Sequence, residues 1–129
     1  MKKLFIALLL LFVITITNAQ YLYDANGRTL GKTSNAHFYN GNGSVLGSVN
    51  GKSIYNARGQ IIGSISGSYF LNNKGQTVGS LNNGQFYNSL GVTKGSFSGS
   101  CYYNDSGRLL TRSNGLTQTQ IIIFLYYLL

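Results

Sequence analysis

Glycine recurs every sixteen residues without slippage, at Gly27, Gly43, Gly59, Gly75, Gly91 and Gly107. Four residues after each stand Gly31, Gly47, Gly63, Gly79 and Gly95, and then Thr111; four before each stand Tyr23, Tyr39, Tyr55, Leu71, Tyr87 and Tyr103. Asp24, Asn40, Asn56, Asn72, Asn88 and Asn104 follow those positions directly. A fixed short period means one supersecondary unit repeated, each copy too small to bury its apolar face alone. The copies must therefore stack or close on one another.

Each unit carries two turns. Asp/Asn-x-x-Gly, as in Asp24-Ala25-Asn26-Gly27 and Asn56-Ala57-Arg58-Gly59, suits a type I turn with a following G1 bulge: the first side chain bonds back to the backbone and glycine takes the left-handed conformation. Half a repeat later come Asn50-Gly51, Ser66-Gly67, Ser98-Gly99 and Asn114-Gly115, with looser copies at Ser34-Asn35 and Asn82-Asn83. These are dipeptides for two-residue hairpin turns. Strands of about four to five residues are all that fits between them, so the unit is a β-hairpin.

Strict alternation within the second strand of each unit places Thr29, Val45, Ile61, Thr77, Thr93 and Leu109 on one face with the second glycine and with Thr33, Val49, Ile65, Leu81, Phe97 and Ser113. Leu30, Leu46, Ile62, Val78 and Leu110 are then expected on the other face, with Lys94 the exception. A mid-strand glycine marks a bulge or a close approach, and the recurrent tyrosine of the neighbouring strand is the expected filler of that notch.

The ends of the 129-residue chain differ from the repeats. Met1-Lys2-Lys3, an apolar run over Leu4 to Thr17 and the small residues of Thr17-Asn18-Ala19 read as a signal peptide over 1–19, with Gln20 the mature N-terminus. The hairpin-repeat domain spans 20–117 and an apolar C-terminal segment 118–129. Ile121 to Leu129 is too short to span a bilayer as a helix. Its β-branched and aromatic content favours a strand, and its burial, worth on the order of 10 kcal/mol, is expected inside a closed ring, on a partner or in lipid.

Composition narrows the function. The chain beyond residue 19 has no Pro, Trp or Glu, and only Asp24 and Asp105 as acids. That excludes a carboxylate-rich metal site and a paired-carboxylate hydrolase. His37 and Cys101 occupy the same repeat position in different units, so no nucleophile and base are brought together, and a lone His or Cys does not close a metal site. No catalytic, cofactor-binding or metal-binding residue is expected. Eight basic residues against two acids give a formal charge of +6 beyond residue 19. They are spread among the repeats, as on a solvated rim or a surface attracted to an anionic envelope. Nucleic acid would call for a denser stripe.

The run Phe38-Tyr39-Asn40-x-x-Gly43-x-x-Leu46-Gly47-Ser48, repeated as Ile54-Tyr55-Asn56-x-x-Gly59-x-x-Ile62-Gly63-Ser64, resembles the small exported bacterial proteins called 5-fold beta-flower proteins. The resemblance implies hairpins arranged radially about a pseudo-symmetry axis and carries no established activity. The fold expected is all-β: sixteen-residue hairpin repeats in a closed radial flower or propeller-like ring, with the C-terminal segment packed at or near its centre. Six turns bound five complete hairpins, with half-units at the two ends. Cys101-Tyr102-Tyr103-Asn104-Asp105-Ser106-Gly107 is more distantly similar to the hairpin repeats of choline-binding and glucan-binding surface proteins, which lean on Trp and a longer period.

The function expected is that of a non-enzymatic exported protein, periplasmic, on the cell surface or extracellular, with an envelope-associated or structural role. The alternative is a binding module for carbohydrate or envelope lipid presenting Tyr23, Tyr39, Tyr55, Tyr87 and Tyr103. Its partners would be an envelope membrane or a glycan surface, and the oligomeric state is open.

Overall fold

The computed structural model describes residues 20–129, so the signal segment read over 1–19 lies outside the described residues. Twelve strands follow one another: β1 (Gln20–Asp24), β2 (Thr29–Ser34), β3 (His37–Asn40), β4 (Val45–Asn50), β5 (Ser53–Asn56), β6 (Ile61–Ser66), β7 (Tyr69–Asn72), β8 (Thr77–Asn82), β9 (Gln85–Asn88), β10 (Thr93–Ser98), β11 (Cys101–Asn104) and β12 (Leu109–Asn114). Each pairs with its sequence neighbours, and β1 pairs with β12 to close an antiparallel barrel. Among the described residues no strand edge is left open, which removes the hazard an isolated hairpin would carry.

Both kinds of turn form, but the two-residue loops start one residue later than the dipeptides suggest, as Gly51-Lys52 between β4 and β5, and Asn114-Gly115 ends β12 and leads into the tail instead of closing a hairpin. In the first kind, Asn40 Oδ1 accepts the backbone N–H groups of Asn42 and Ser44 at 2.9 and 3.0 Å, and Gly43 N–H donates to the Asn40 carbonyl. The same Asx bonds recur at Asp24, Asn56, Asn72, Asn88 and Asn104. Gly59, at the closing position of its turn, has φ +79°. The tight turns divide into two types. Gly51, Gly67 and Gly99 alone take positive φ in theirs, as in type II′, whereas Asn35-Ala36 and Asn83-Gly84 both do, as in type I′.

A bulge in every unit overturns the expected assignment of faces. Tyr23 pairs with Thr29 and Leu22 with Gly31, leaving Leu30 as an extra residue between them. The same shift recurs in the other five first-to-second-strand pairs. One inserted residue reverses the alternation on its far side. Thr29, Val45, Ile61 and their equivalents therefore lie on the outer wall, with Val45 and Ile61 exposed, while Leu30, Leu46 and Ile62 pack against the core. Beyond the bulge the expectation holds: Thr33 and Ser113 are buried, and Val49, Ile65, Leu81 and Phe97 pack inward.

The inward position of the first strand is the residue before the recurrent tyrosine. Leu22, Phe38, Ile54, Phe70, Phe86 and Tyr102 are all buried and ring the interior at sixteen-residue intervals.

Five petals, β2–β3, β4–β5, β6–β7, β8–β9 and β10–β11, are continuous hairpins, and the first and last strands, β1 and β12, build a sixth. Thr111 pairs with Asp24, Arg112 with Tyr23 and Ser113 with Leu22, the register by which Gly95 pairs with Asn104, Ser96 with Tyr103 and Phe97 with Tyr102. The half-units thus zip together as a petal whose tight turn is replaced by the ends of the two strands.

The C-terminal segment is not the strand that its propensity suggests. Gln118–Ile123 forms α1, and Phe124–Leu128 continues it as a π-helical turn. Thr117 caps α1 reciprocally with Gln120: Thr117 Oγ1 accepts the Gln120 N–H at 3.1 Å, and the Thr117 N–H donates to Gln120 Oε1 at 2.9 Å. The physical reason is topological. A strand in the middle of a closed ring finds no free edge to pair with, whereas a helix satisfies its own backbone. Ile121, Ile122, Ile123 and Phe124 are buried among the ring residues, so the barrel interior is filled by the chain's own tail.

Candidate functional site: the open end of the barrel

The antiparallel ring gives the molecule two unlike ends. One carries the tight turns together with Gln20 and the start of α1, where Gln20 Oε1 accepts from Thr33 Oγ1 at 2.7 Å and from Gln120 Nε2 at 3.5 Å. The other carries the six Asx turns and the end of the tail. There Tyr127 O–H donates to the Leu71 carbonyl at 2.8 Å, and a Cβ on Gly47 would lie 2.8 Å from Leu128 Cδ2. The helix therefore runs along the barrel from the tight-turn end to the Asx-turn end.

The glycine notches receive this tail, not the recurrent tyrosines. A Cβ on Gly31 would meet the ring of Phe124, and one on Gly63 the ring of Tyr127. On the other side of the barrel the ring's own aromatics take that place, Phe86 at Gly79 and Tyr102 at Gly95. Tyr39, Tyr55, Tyr87 and Tyr103 contribute only their backbone carbonyls to these approaches.

Exposed apolar surface is concentrated at the Asx-turn end. Val45 and Ile61 begin strands there, Val78 and Leu110 are bulge residues, Leu90 and Val92 belong to one turn, and Tyr126 and Leu129 end the tail. Of the large hydrophobic side chains exposed among the described residues, only Tyr69 stands at the opposite end. Leu90, at the tip of its turn, is 84% exposed. The other five turns carry Asn26, Asn42, Arg58, Lys74 and Ser106 at that position. Arg28, Arg58, Lys74, Lys94 and Arg108 share this end with the two acids. Asp24 Oδ2 is 3.3 Å from Arg28 Nε, and the Arg28 backbone N–H, seconded by its guanidinium, holds the Asp24 carboxyl below the usual carboxylate range.

Within this end a cleft of about 400 Å³ opens between the wall and the tail, lined by Ile62, Phe70, Asn72, Val78, Phe86, Tyr126 and Tyr127. Phe86 stacks on Tyr126 with ring centroids 4.6 Å apart, and Tyr126 O–H shares a 3.0 Å hydrogen bond with Tyr102 O–H. Burial pushes the Tyr127 phenol up to about 12. Burial, with the bond to Tyr126, raises Tyr102 well above the ordinary phenol range. Both phenols stay protonated at neutral pH, and the cleft lining is largely apolar.

Tyr23, Tyr39, Tyr55, Tyr87 and Tyr103 form a half-buried belt on the outer wall. Several ring faces and hydroxyls are engaged by neighbours: Tyr23 stacks on Tyr21, Lys32 Nζ lies 5.6 Å over the Tyr39 ring, and Tyr87 O–H donates to Gln85 Oε1 at 2.7 Å. His37 and Cys101 stand at equivalent positions on β3 and β11, four strands apart across the closure, about 19 Å measured along the curved sheet at the usual strand spacing. Among the described residues no group of three or more His, Cys, Asp or Glu side chains could hold a metal ion. No helix of the described residues is long and apolar enough to cross a membrane.

The apolar turn and the helical tail had signals in the sequence. Leu90 and Val92 break an otherwise polar turn pattern, and Thr117-x-x-Gln120 before an apolar run is a helix-start signature. No curated protein and no solved structure matches the chain significantly. The family model described as 5-fold beta-flower protein matches residues 19–129. The repeat, the closed ring and that match agree, and the chain belongs to the 5-fold beta-flower family.

Proposed function

We propose that the chain is an exported, non-enzymatic protein of the cell envelope with a structural or surface-associated role. The observation that carries this reading is the use of the barrel interior. Small closed barrels that hold ligands do so in the lumen, and here Ile121 to Phe124 occupy it as core. The chemistry-bearing residues support the same reading, since Asp24, His37 and Cys101 stand on different strands of the ring and Asp105 lies at the opposite end of β11 from Cys101. Export rests on the basic start, apolar run and small-residue site of residues 1–19.

Fractionation of native cells with sequencing of the processed N-terminus tests the proposal. Recovery in the envelope or medium beginning at Gln20 is expected. A cytoplasmic protein retaining Met1 would overturn it.

A further inference from the structure

We propose that the Asx-turn end is a docking face for an anionic lipid surface, entered to about the depth of the tyrosine belt. The inference rests on the reading of the chain as an envelope protein and specifies the face and the chemistry it meets.

Leu90 projects from its turn at 84% exposure, and Val92 and Leu129 are more than half exposed at the same end. Arg58, Lys74 and Lys94 share that end, where five basic residues outnumber two acids, one of them bonded to Arg28. Apolar tips interspersed with cations are the chemistry of shallow interfacial binding: the tips enter the acyl boundary and the cations meet lipid phosphates. A second copy placed face to face would set like charges against each other across the contact, so charge complementarity selects an anionic partner.

The belt supplies the depth. Tyr87 stands at the end of β9, one residue before the Asx turn that carries Leu90, a height comparable with the roughly 5 to 10 Å that interfacial segments penetrate. Tyrosines at that height match the headgroup layer, where side chains with an apolar body and a polar tip are favoured.

Sedimentation with vesicles tests this, using the chain from Gln20 onward, which contains the twelve described strands and the tail. Vesicles of phosphatidylcholine alone are compared with vesicles that also contain phosphatidylglycerol. Binding to the anionic vesicles is expected, weakening as salt rises because the Debye length shortens. Leu90→Asp should lower the partition by about tenfold, the equivalent of losing most of one leucine's burial. Tyr69→Asp, at the opposite end, should leave it unchanged, and Lys74→Glu should weaken the binding and flatten its salt dependence. Thermal transitions of the variants verify that each is folded.

Equal loss in Leu90→Asp and Tyr69→Asp would overturn the assignment of the face, and equal binding to both vesicle types would overturn the role of charge. A concentration-dependent dimer abolished by Leu90→Asp would assign the face to a second copy instead. Absence of vesicle binding with the protein still recovered in the envelope would overturn the docking alone. The envelope reading itself stands or falls by fractionation.

Discussion

Thr111 stands where five other units have glycine, and its Oγ1 is buried without a hydrogen-bond partner. A buried hydroxyl with no partner keeps its desolvation cost and gains nothing in return. Thr111→Val preserves the shape and removes the orphan, so it should raise stability by about 1 kcal/mol, read as a higher denaturation midpoint at unchanged m. Gly31 shows the opposite constraint. A Cβ there would lie 2.5 Å from the Tyr39 carbonyl oxygen and 2.7 Å from Phe124 Cε1, and the first of these is backbone that cannot swing aside. Gly31→Ala should therefore cost about 1 to 3 kcal/mol as overpacking, well beyond a propensity effect, in the same denaturation measurement.

Residue identities made the turns legible in the sequence. Asn/Asp-x-x-Gly states its own mechanism, and every copy adopts it. The faces were not legible, because a bulge is a property of pairing and not of one strand. With Leu30 unpaired, Thr29 goes to the outer wall although simple alternation sends it inward.

At the scale of elements, the strands and α1 differ in how their propensities were overridden. Ile121-Ile122-Ile123 favours extended structure locally, and the closed ring denies it a partner, so the helix capped by Thr117 and Gln120 prevails. The capping signal Thr117-x-x-Gln120 is present in the sequence, and the β-branched propensity that points to a strand takes no account of it. The end of this element carries a pH dependence. Tyr127 is raised to about 12 by burial and Tyr102 is raised further, while an unfolded tyrosine ionises near 10. The unfolded chain thus releases these protons first. The stability held by the neutral phenols is complete below about pH 10 and is lost as pH rises towards 12 and above. Alkaline denaturation curves should show this decline, and Tyr127→Phe should flatten it. An unchanged slope in that variant would place the titration elsewhere.

Across the whole molecule, the last strand and the tail complete what the first strand begins. β12 closes the ring on β1, and α1 then fills the space the ring encloses. The sixteen-residue period announced a closed or stacked array. Five hairpins and two half-units make six petals because β1 and β12 pair in the register of the others. The apolar Asx-turn end was the least legible feature, since Leu90, Val78, Leu110 and Leu129 are spread along the chain and share one end only because the strands alternate direction and the tail runs towards it.

Burying Ile121, Ile122, Ile123 and Phe124 is worth about 6 to 12 kcal/mol at the usual value per large side chain. That is comparable with the whole stability of a small domain, about 5 to 15 kcal/mol. The tail is therefore core, and the ring should not stand without it. Deletion of residues 118–129 from the chain beginning at Gln20 tests this most directly, followed by circular dichroism and thermal melting. An unfolded or aggregated product with no cooperative transition is predicted, and a soluble 20–117 fragment with a β spectrum and a sharp melt would contradict the account.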